Sequence, residues 1–431
     1  MPRKRSLLQK QFDDSSSDDD CSIILSAAQI LQIASKEKGP HGGSVKGHKV
    51  IYRDREAGHE RMYQDYLAEN PTYGPDLFRR RYRMSRNLFL RIMSDVEDHD
   101  DYFVQKRNAA NVLGLSCFQK VTAAMRMLTY GTAADAADEY VRIGESTTLE
   151  SLRHFIRAVV ELYEDEYLRQ PNEADTARLL AMGEKKGFPG MLGSIDCMHW
   201  VWKNCPYDKQ GQYKGHVDKA TIILEAVASD DLWIWHAFFG LPGSHNDINV
   251  LHRSPLFDNL AEGRAPAVKF SVNGHDYNMG YYLSDGIYPS WATLIQSISR
   301  PMGNKQQYFA KAQEAARKMV ERAFGVLQSR FAIVRGGARF WDIETLTLIM
   351  RACVIMHNMI VEDEGFMMDH NESFDYGGET VEPARGRLAR TLDEYIEAHQ
   401  QIRNKDTHVQ LKEDLIEHLW NHHPDLYSYK I

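Results

Sequence analysis

Residues 193–200, Gly-Ser-Ile-Asp-Cys-Met-His-Trp, mark the point where the sequence changes from helical to strand-like patterning. They follow a turn signal, Pro189-Gly190, and overlap a short apolar run over residues 191–196. Downstream segments are strand-like at 220–228, 232–239 and 279–284, and helical at 314–331 and 345–361. This order predicts an α/β core, with a mixed sheet flanked by helices.

Composition and apolar run lengths restrict the class of protein. The chain of 431 residues is 43% hydrophobic and 26% charged, which is typical of a globular protein. Its five cysteines are odd in number and scattered, so a disulfide framework is not expected. Apolar stretches such as 233–241 fall short of the roughly 20 residues that a membrane span needs, and no apolar segment follows the basic N-terminus. We therefore expect an intracellular protein with no membrane association.

The patterning divides the chain into five regions. They are a disordered N-terminal tail (1–45), a helical, helix-turn-helix-like DNA-binding region (46–187), the α/β core (188–362), a Gly-rich and acidic linker (363–390), and C-terminal helices (391–431). In the last region Leu411, Leu415 and Leu419 form one apolar stripe, which we expect to dock on the body of the protein.

The helical region has the outline of a helix-turn-helix. A short helix is predicted near residues 133–140 and a longer one from Ser146, with Gly144 between them. In such a motif the second helix enters the major groove, where Arg153 and Arg157 would contact DNA. Packed helices without a DNA role fit the pattern equally well.

A second basic cluster lies earlier in the helical region, at Arg79, Arg80, Arg81 and Arg83. It indicates phosphate contacts or, alternatively, a solvated helix face. The formal net charge of −8 counts against a nucleic-acid-binding protein. However, that sum includes the acidic run of the N-terminal tail, and local charge decides docking onto a polyanion.

Three carboxylates are prominent because of their positions. Asp196 and Asp285 each end an apolar strand, and Glu321 lies within the helix predicted over 314–331. Strands that end side by side bring their last residues together at one edge of a sheet, and a neighbouring helix can add a third group. Converging carboxylates repel unless cations neutralise them, and oxygen ligands suit Mg²⁺ or Mn²⁺. Two such ions would clamp the attacking and leaving oxygens of a phosphoryl displacement.

Four ordered blocks of sequence resemble the PIF/Harbinger transposases, particularly the plant Pong-like branch. They are GSIDCMHW (193–200), AFFGLPGSHND (237–247), LSDGIYP (283–289) and VERAFGVLQ (320–328). The resemblance covers about residues 50–365. It implies an RNase H-like nuclease domain over 188–362 whose Asp, Asp, Glu triad falls on Asp196, Asp285 and Glu321.

The resemblance also implies a function. A member of this family would cleave phosphodiester bonds at transposon ends and transfer strands into target DNA, with two Mg²⁺ or Mn²⁺ ions as cofactors. Val201 and Met319 depart from the family pattern. They leave open an alternative, a domesticated copy that serves as a chromatin or transcription-complex subunit without catalytic activity.

Partners and location follow from the same resemblance. It implies a separate Myb-like DNA-binding partner, and we also expect a homo-oligomer. The nucleus is the expected location, with the cytoplasm before partner-assisted import. Residues 2–5, Pro-Arg-Lys-Arg, are either a nuclear localisation signal or a solvated basic terminus.

Three further residues near the triad are candidates. Asp247 is expected to cap the start of a helix and is kept in reserve as a metal ligand. His199 is a candidate contact to the scissile phosphate. Lys203 is a candidate phosphate contact, although an ordinary surface lysine fits it equally well.

Overall fold

The structure, a computed structural model, describes residues 51–215, 218–368 and 391–422. The expected disordered tail (1–45), the basic run at residues 2–5 and most of the expected linker (363–390) lie outside the described residues.

Helices precede the sheet throughout the described chain up to Lys185. Their bounds are α1 (Arg55–Tyr66), α2 (Pro75–Tyr82), α3 (Arg86–His99), α4 (Cys117–Tyr130), α5 (Asp138–Val141), α6 (Glu145–Tyr167) and α7 (Glu173–Lys185). Local signals set these ends, since Ser116 and Gln119 form a capping box before α4 and Gly131 ends it at a φ of 63°. The helix predicted over 133–140 is a 3₁₀-helix (Ala134–Ala137) followed by the short α5.

A five-stranded mixed sheet forms the core of the molecule. Its strands are β1 (Met191–Val201), β2 (Thr221–Ala228), β3 (Ile234–Pro242), β6 (Tyr281–Ser284) and β7 (Leu294–Gln296), in the spatial order β3-β2-β1-β6-β7. β1, β2 and β3 are antiparallel, whereas β6 and β7 run parallel to β1. The predicted α/β core is confirmed, and the strand-like segments 220–228 and 232–239 form an antiparallel pair.

The remaining elements cover the sheet and its ends. They are α8 (Gln210–Tyr213), α9 (Asp247–Leu251), a 3₁₀-helix (Pro255–Phe257), α10 (Asp258–Ala261), the hairpin β4 (Phe270–Val272) and β5 (His275–Tyr277), α11 (Gly303–Arg317), α12 (Met319–Arg330), α13 (Ala332–Arg335), α14 (Ile343–Met368), α15 (Leu392–Ile402) and α16 (Lys405–Asn421).

The single helix predicted over 314–331 is wrong, because the structure breaks it at Lys318. There the backbone has φ −63° and ψ 0°, so α11 ends at Arg317 and α12 begins at Met319. Glu321 therefore lies in the first turn of α12 and not in the middle of a helix.

The helices before the sheet share one hydrophobic core with it. Phe155 of α6, Ile234 of β3 and Met356 of α14 are fully buried in the same apolar cluster. The sequence pattern does change from helical to strand-like between α7 and β1, near the expected boundary at residue 188. The packing does not divide there, since Arg53–Ile431 form one compact unit.

Most of α14 is buried in that core. Its segment Ile343–Gly365 is long and apolar enough to cross a membrane, contrary to the expectation that every apolar stretch is too short. In this structure 72% of the most apolar window is buried inside the protein, as is typical of a core helix.

The C-terminal helices pack against the far edge of the sheet. Leu411, Leu415 and Leu419 of α16 join a second apolar cluster that contains Tyr281 of β6 and Phe309 of α11. The predicted docking of this stripe on the body is confirmed.

Candidate active site

Asp196 occupies the middle of β1, so the expectation that it ends a strand is wrong. β1 continues to Val201, and over that length it pairs with β2, where Asp196 lies opposite Ala226. The pairing of β1 with its parallel neighbour β6 stops earlier, at Ser194 opposite Leu283. Asp196 therefore lies where β1 has lost its neighbour on one side, and its side chain is 19% exposed.

Asp285 lies at the corresponding height on the next strand. β6 ends at Ser284, and Asp285 follows directly. Because Ser194 pairs with Leu283 in parallel register, Asp196 and Asp285 are each two residues beyond that pair. The Asp285 Oδ1 accepts a hydrogen bond of 3.0 Å from the Ile287 N–H, which fixes the turn that follows.

Glu321 reaches the same edge from α12. The helix begins directly against β1, since the Val320 N–H donates to the Ser194 Oγ across 3.1 Å and both residues are fully buried. This bond satisfies one of the amide groups that a helix start leaves unpaired. Glu321 comes next along the chain, and its side chain is 44% exposed.

Arg317 joins two of these carboxylates. Its Nη1 lies 2.9 Å from Glu321 Oε1 and 3.6 Å from Asp196 Oδ2, and its Nη2 lies 3.8 Å from Glu314 Oε1. The Arg317 side chain is only 13% exposed. Arg317 is not among the predicted site residues, although its spacing of four from Glu321 is that of an ion pair along a helix.

The electrostatics of Asp196 reflect a crowded acidic site. Burial raises the pKa of its carboxyl to about 6. The backbone hydrogen bond from Cys197 and the charge of Arg317 work against this rise in pKa, whereas the charges of Asp285 and Glu321 add to it. All three predicted triad residues are thus close enough to influence one another.

No ready-made metal cluster is present among the described residues, in that no three His, Cys, Asp or Glu side chains are grouped as ligands. The guanidinium of Arg317 lies between Asp196 and Glu321, and its single positive charge offsets only part of their negative charge. The donor set still fits a divalent ion, because it consists of carboxylate oxygens; burial raises the pKa of Asp196, and the charges of Asp285 and Glu321 add to that rise.

Asp247 belongs to this site and does not cap α9. The cap is Asn246, whose Oδ1 accepts from the Asn249 N–H across 2.9 Å. The Asp247 carboxylate instead lies near Cys197 and Asp285. Burial raises the pKa of Asp247, and the charge of Asp285 raises it further. Two adjacent residues of cap-forming type made the expectation ambiguous.

The arginine cluster around α2 is largely used within the fold. Arg79 pairs with Glu364 across 2.5 Å, and Arg81 donates to Tyr66 and lies 3.8 Å over the ring of Tyr73. Arg83 ends α2 in a left-handed conformation and is partly buried. Arg80 is exposed.

The other predicted DNA contacts lie on two surfaces. Arg153 and Arg157 are exposed on α6. His199 is exposed on β1, with its Nδ1 3.1 Å from the Thr221 Oγ1. Lys203 is exposed just beyond the end of β1.

Comparison with known proteins agrees with this arrangement. Residues 165–368 match the family described as plant transposon protein, and this range contains every carboxylate of the site. Residues 58–97 match a domain of unknown function. No solved structure matches the chain.

Two curated relatives have similar length and limited identity. "Protein ALP1-like" of Arabidopsis thaliana is 25% identical over 301 residues, which cover 68% of this chain and 73% of that protein. "Putative nuclease HARBI1" of Homo sapiens is 23% identical over 249 residues, which cover 56% of this chain and 67% of that protein.

Proposed function

The chain belongs to the PIF/Harbinger family of transposase-derived nucleases, and from this premise we propose that it is a metal-dependent DNA endonuclease and strand transferase. Its substrates would be the phosphodiester bonds at transposon ends and in target DNA. Asp196, Asp285 and Glu321 would form the catalytic triad, with Asp247 as a fourth carboxylate in contact with the site.

One observation carries the proposal. Asp196 and Asp285 are each two residues beyond the paired Ser194 and Leu283 of two adjacent parallel strands, and α12 starts against β1, which brings Glu321 close to Asp196. Asp196 and Glu321 both lie within ion-pair distance of the same Arg317 nitrogen, so the two carboxylates are close to each other. Carboxylates in this number and proximity are costly unless cations offset them.

Each site residue would have its own role in binding the metal ions or in positioning another residue. Two Mg²⁺ or Mn²⁺ ions, when bound, would activate the nucleophile, which is a water molecule or a DNA 3′-hydroxyl, and would stabilise the negative charge on the leaving oxygen. Asp196 and Asp285 would hold them from the two strands, and Glu321 from the helix. The Ser194–Val320 hydrogen bond would keep Glu321 in place. Because Asp196 has a raised pKa, a bound cation would favour its ionised form.

The finer architecture belongs to the same proposal. We take the sheet, with three antiparallel strands followed by two parallel ones, to be an RNase H-like core. The helical region before it would bind DNA through a helix-turn-helix-like unit. In support, Arg153, Arg157 and Arg80 are exposed, as are His199 and Lys203 nearer the triad.

Partners and location complete the proposal. By family resemblance the protein would work with a Myb-like DNA-binding partner, as a homo-oligomer, in the nucleus.

The experiment is a cleavage assay with purified protein and its partner on terminal-repeat DNA, in Mg²⁺ or Mn²⁺. Asp196→Asn, Asp285→Asn and Glu321→Gln should each lose at least a hundredfold in rate, as expected when an electrostatic contribution to the transition state is removed. Glu413→Gln is the matched control, since Glu413 is an exposed carboxylate on α16. If the triad variants cut as fast as this control, the site assignment fails.

One observation favours the alternative, a non-catalytic subunit of a chromatin or transcription complex. Arg317 already offsets part of the negative charge of Asp196 and Glu321 without any metal. The same assay separates the two functions, because a non-catalytic protein would show no cleavage and no measurable Mn²⁺ binding.

A further inference from the structure

Two distant segments of the chain are joined just beyond the end of β1. The Lys203 N–H donates to the Ala338 carbonyl across 2.9 Å, and the Asn204 side-chain amide donates to the Arg339 carbonyl across 2.6 Å. Beneath them Trp202 is 2% exposed and donates from its indole to the Phe340 carbonyl across 2.8 Å. The junction is therefore supported by a buried and hydrogen-bonded tryptophan.

Two large aromatic side chains project from this junction into solvent. Tyr207 is 92% exposed and Trp341 is 67% exposed. They lie three residues after Asn204 and two residues after Arg339, so both are close to the hydrogen bond that joins the segments. Apolar surface of this size costs free energy in water unless a partner covers it.

Basic side chains surround the two aromatic residues. Lys203, Lys209, Arg335 and Arg339 are all exposed on the joined segments. The acidic residues there are Asp208, Asp342 and Glu344, of which Asp342 is engaged by capping α14 through a 2.7 Å bond from the Thr345 N–H. The local charge is therefore positive although the chain as a whole is negative.

Arg153 of α6 borders the same surface. Burial tends to raise the pKa of Asp342, but hydrogen bonds from Thr345 and the charge of Arg153 outweigh it and lower that pKa. Arg153 is thus close to the start of α14, next to Trp341. It connects the exposed face of α6 to the junction.

We propose that this surface, formed by Arg153, Lys203, Tyr207, Lys209, Arg335, Arg339 and Trp341, binds an unpaired DNA strand beside the cleaved bond. The lysines and arginines contact phosphates, and Tyr207 and Trp341 stack on bases. Aromatic rings with interspersed cations are the usual means of binding single strands, because every base offers a π-face. This inference rests on the proposed nuclease function for its ligand.

Its distance from the triad suits that role. β1 carries Asp196 at its middle, and Lys203 follows seven residues later, roughly 23 Å along an extended strand. One turn of B-DNA spans about 34–36 Å. A strand whose scissile phosphate lies at Asp196 would therefore reach the surface in less than one helical turn.

The test is fluorescence anisotropy with a labelled oligothymidylate of about 16 nucleotides, measured in EDTA so that no cleavage occurs. Tyr207→Ala and Trp341→Ala should each weaken binding about tenfold, and duplex DNA should be affected less. Tyr207→Phe keeps the ring and should keep the affinity. Lys203→Gln with Arg339→Gln should reduce the slope of log affinity against log salt by about two.

Matched controls come from exposed residues elsewhere. Tyr63→Ala removes a half-exposed ring on α1, and Lys269→Gln removes an exposed charge beside β4. If the surface variants bind like these controls, the proposal is overturned. An equal loss for duplex and single strand overturns it as well, because stacking would then play no part.

The same measurement separates this inference from the proposed nuclease. A protein that binds the oligonucleotide through this surface but never cuts DNA supports the surface and refutes the nuclease. Surface variants that bind normally in EDTA while the wild type cuts DNA refute the surface alone. If those variants instead lose self-association in sedimentation, the surface contacts a protein and the proposal fails.

Discussion

Arg317 donates from its Nη1 to the Oε1 of Glu321 across 2.9 Å, and the same nitrogen lies 3.6 Å from Asp196. A guanidinium thus stands where two carboxylates of the candidate triad approach each other. Any divalent ion that binds there must compete with this charge.

Removal of Arg317 is therefore expected to strengthen metal binding. Arg317→Gln should bind Mn²⁺ about tenfold more tightly than the wild type in isothermal titration calorimetry, since the largely buried guanidinium no longer opposes the metal. Arg322→Gln is the control, because it removes an exposed charge from the neighbouring helix. Unchanged affinity in Arg317→Gln would show that the guanidinium does not compete.

Asp196 is expected to make the metal-free protein less stable above neutral pH. Its folded pKa of about 6 lies above the unfolded value near 3.8, so folding disfavours the ionised carboxylate. This penalty is absent below about pH 4, grows between pH 4 and 6, and is complete above. At roughly 1.4 kcal/mol per pKa unit it amounts to about 2–3 kcal/mol.

Urea unfolding in EDTA measures this effect. Asp196→Asn should be about 2–3 kcal/mol more stable than the wild type at pH 8, with the difference vanishing near pH 4. Asparagine keeps the oxygen that accepts from the Cys197 N–H at 2.8 Å. A constant difference across this pH range would contradict the raised pKa.

Ser194 and Ser284 form a matched pair of buried serines on adjacent strands. The Ser194 Oγ accepts from the Val320 N–H, whereas the Ser284 Oγ is buried without a hydrogen-bond partner in the described structure. Ser194→Ala should destabilise the protein by about 1–3 kcal/mol, because it leaves a buried amide unpaired. Ser284→Ala should be neutral or stabilising.

Variants of Ser194 and Ser284 also test whether the Ser194–Val320 hydrogen bond keeps Glu321 in position. Cleavage by Ser194→Ala should fall by more than its loss of folded protein explains, while Ser284→Ala cuts at the wild-type rate. Equal rates for the two variants, measured well below their melting temperatures, would mean that Glu321 does not depend on the start of α12.

We expect Asn246 to have a structural role and its neighbour Asp247 a chemical one. Asn246→Ala removes the cap of α9 and should cost about 1 kcal/mol in thermal or urea unfolding. Asp247→Asn should leave the protein at least as stable as the wild type, because burial raises the pKa of Asp247 and so disfavours its ionised form. It should slow cleavage at least tenfold, because the carboxylate lies near Cys197 and Asp285. If Asp247→Asn instead lost stability but cut DNA at the wild-type rate, Asp247 would be the cap of α9.

The sequence was sufficient to predict the α/β core and the family. Alternation and turn signals located β1, β2, β3 and β6 but not the three-residue strands β4, β5 and β7, which are too short to show a pattern. Four ordered motifs identified the relatives. The end of β1 was misplaced because the alternating residues beyond Asp196, with exposed His199 between buried Met198 and Trp200, continue the strand without a long apolar run. Pairing with β2 decides that length, and pairing is not local.

Other errors have similar causes. Lysine is a good helix former, so nothing at Lys318 indicated a break. Arg317 is 121 positions from Asp196 in the chain, and only the tertiary fold brings them together. Exposure of Tyr207 and Trp341 also depends on packing, since other aromatic residues of similar patterning, such as Trp200, are buried.

The continuous core between helices and sheet has a practical consequence for dissecting the molecule. A fragment beginning at residue 188, where the sequence changes character, would expose the apolar side of α14 and of β3 that α6 now covers. Such a fragment would aggregate on expression. The compact unit that contains the sheet begins at Arg53, so we expect a soluble fragment to need the helices before the sheet.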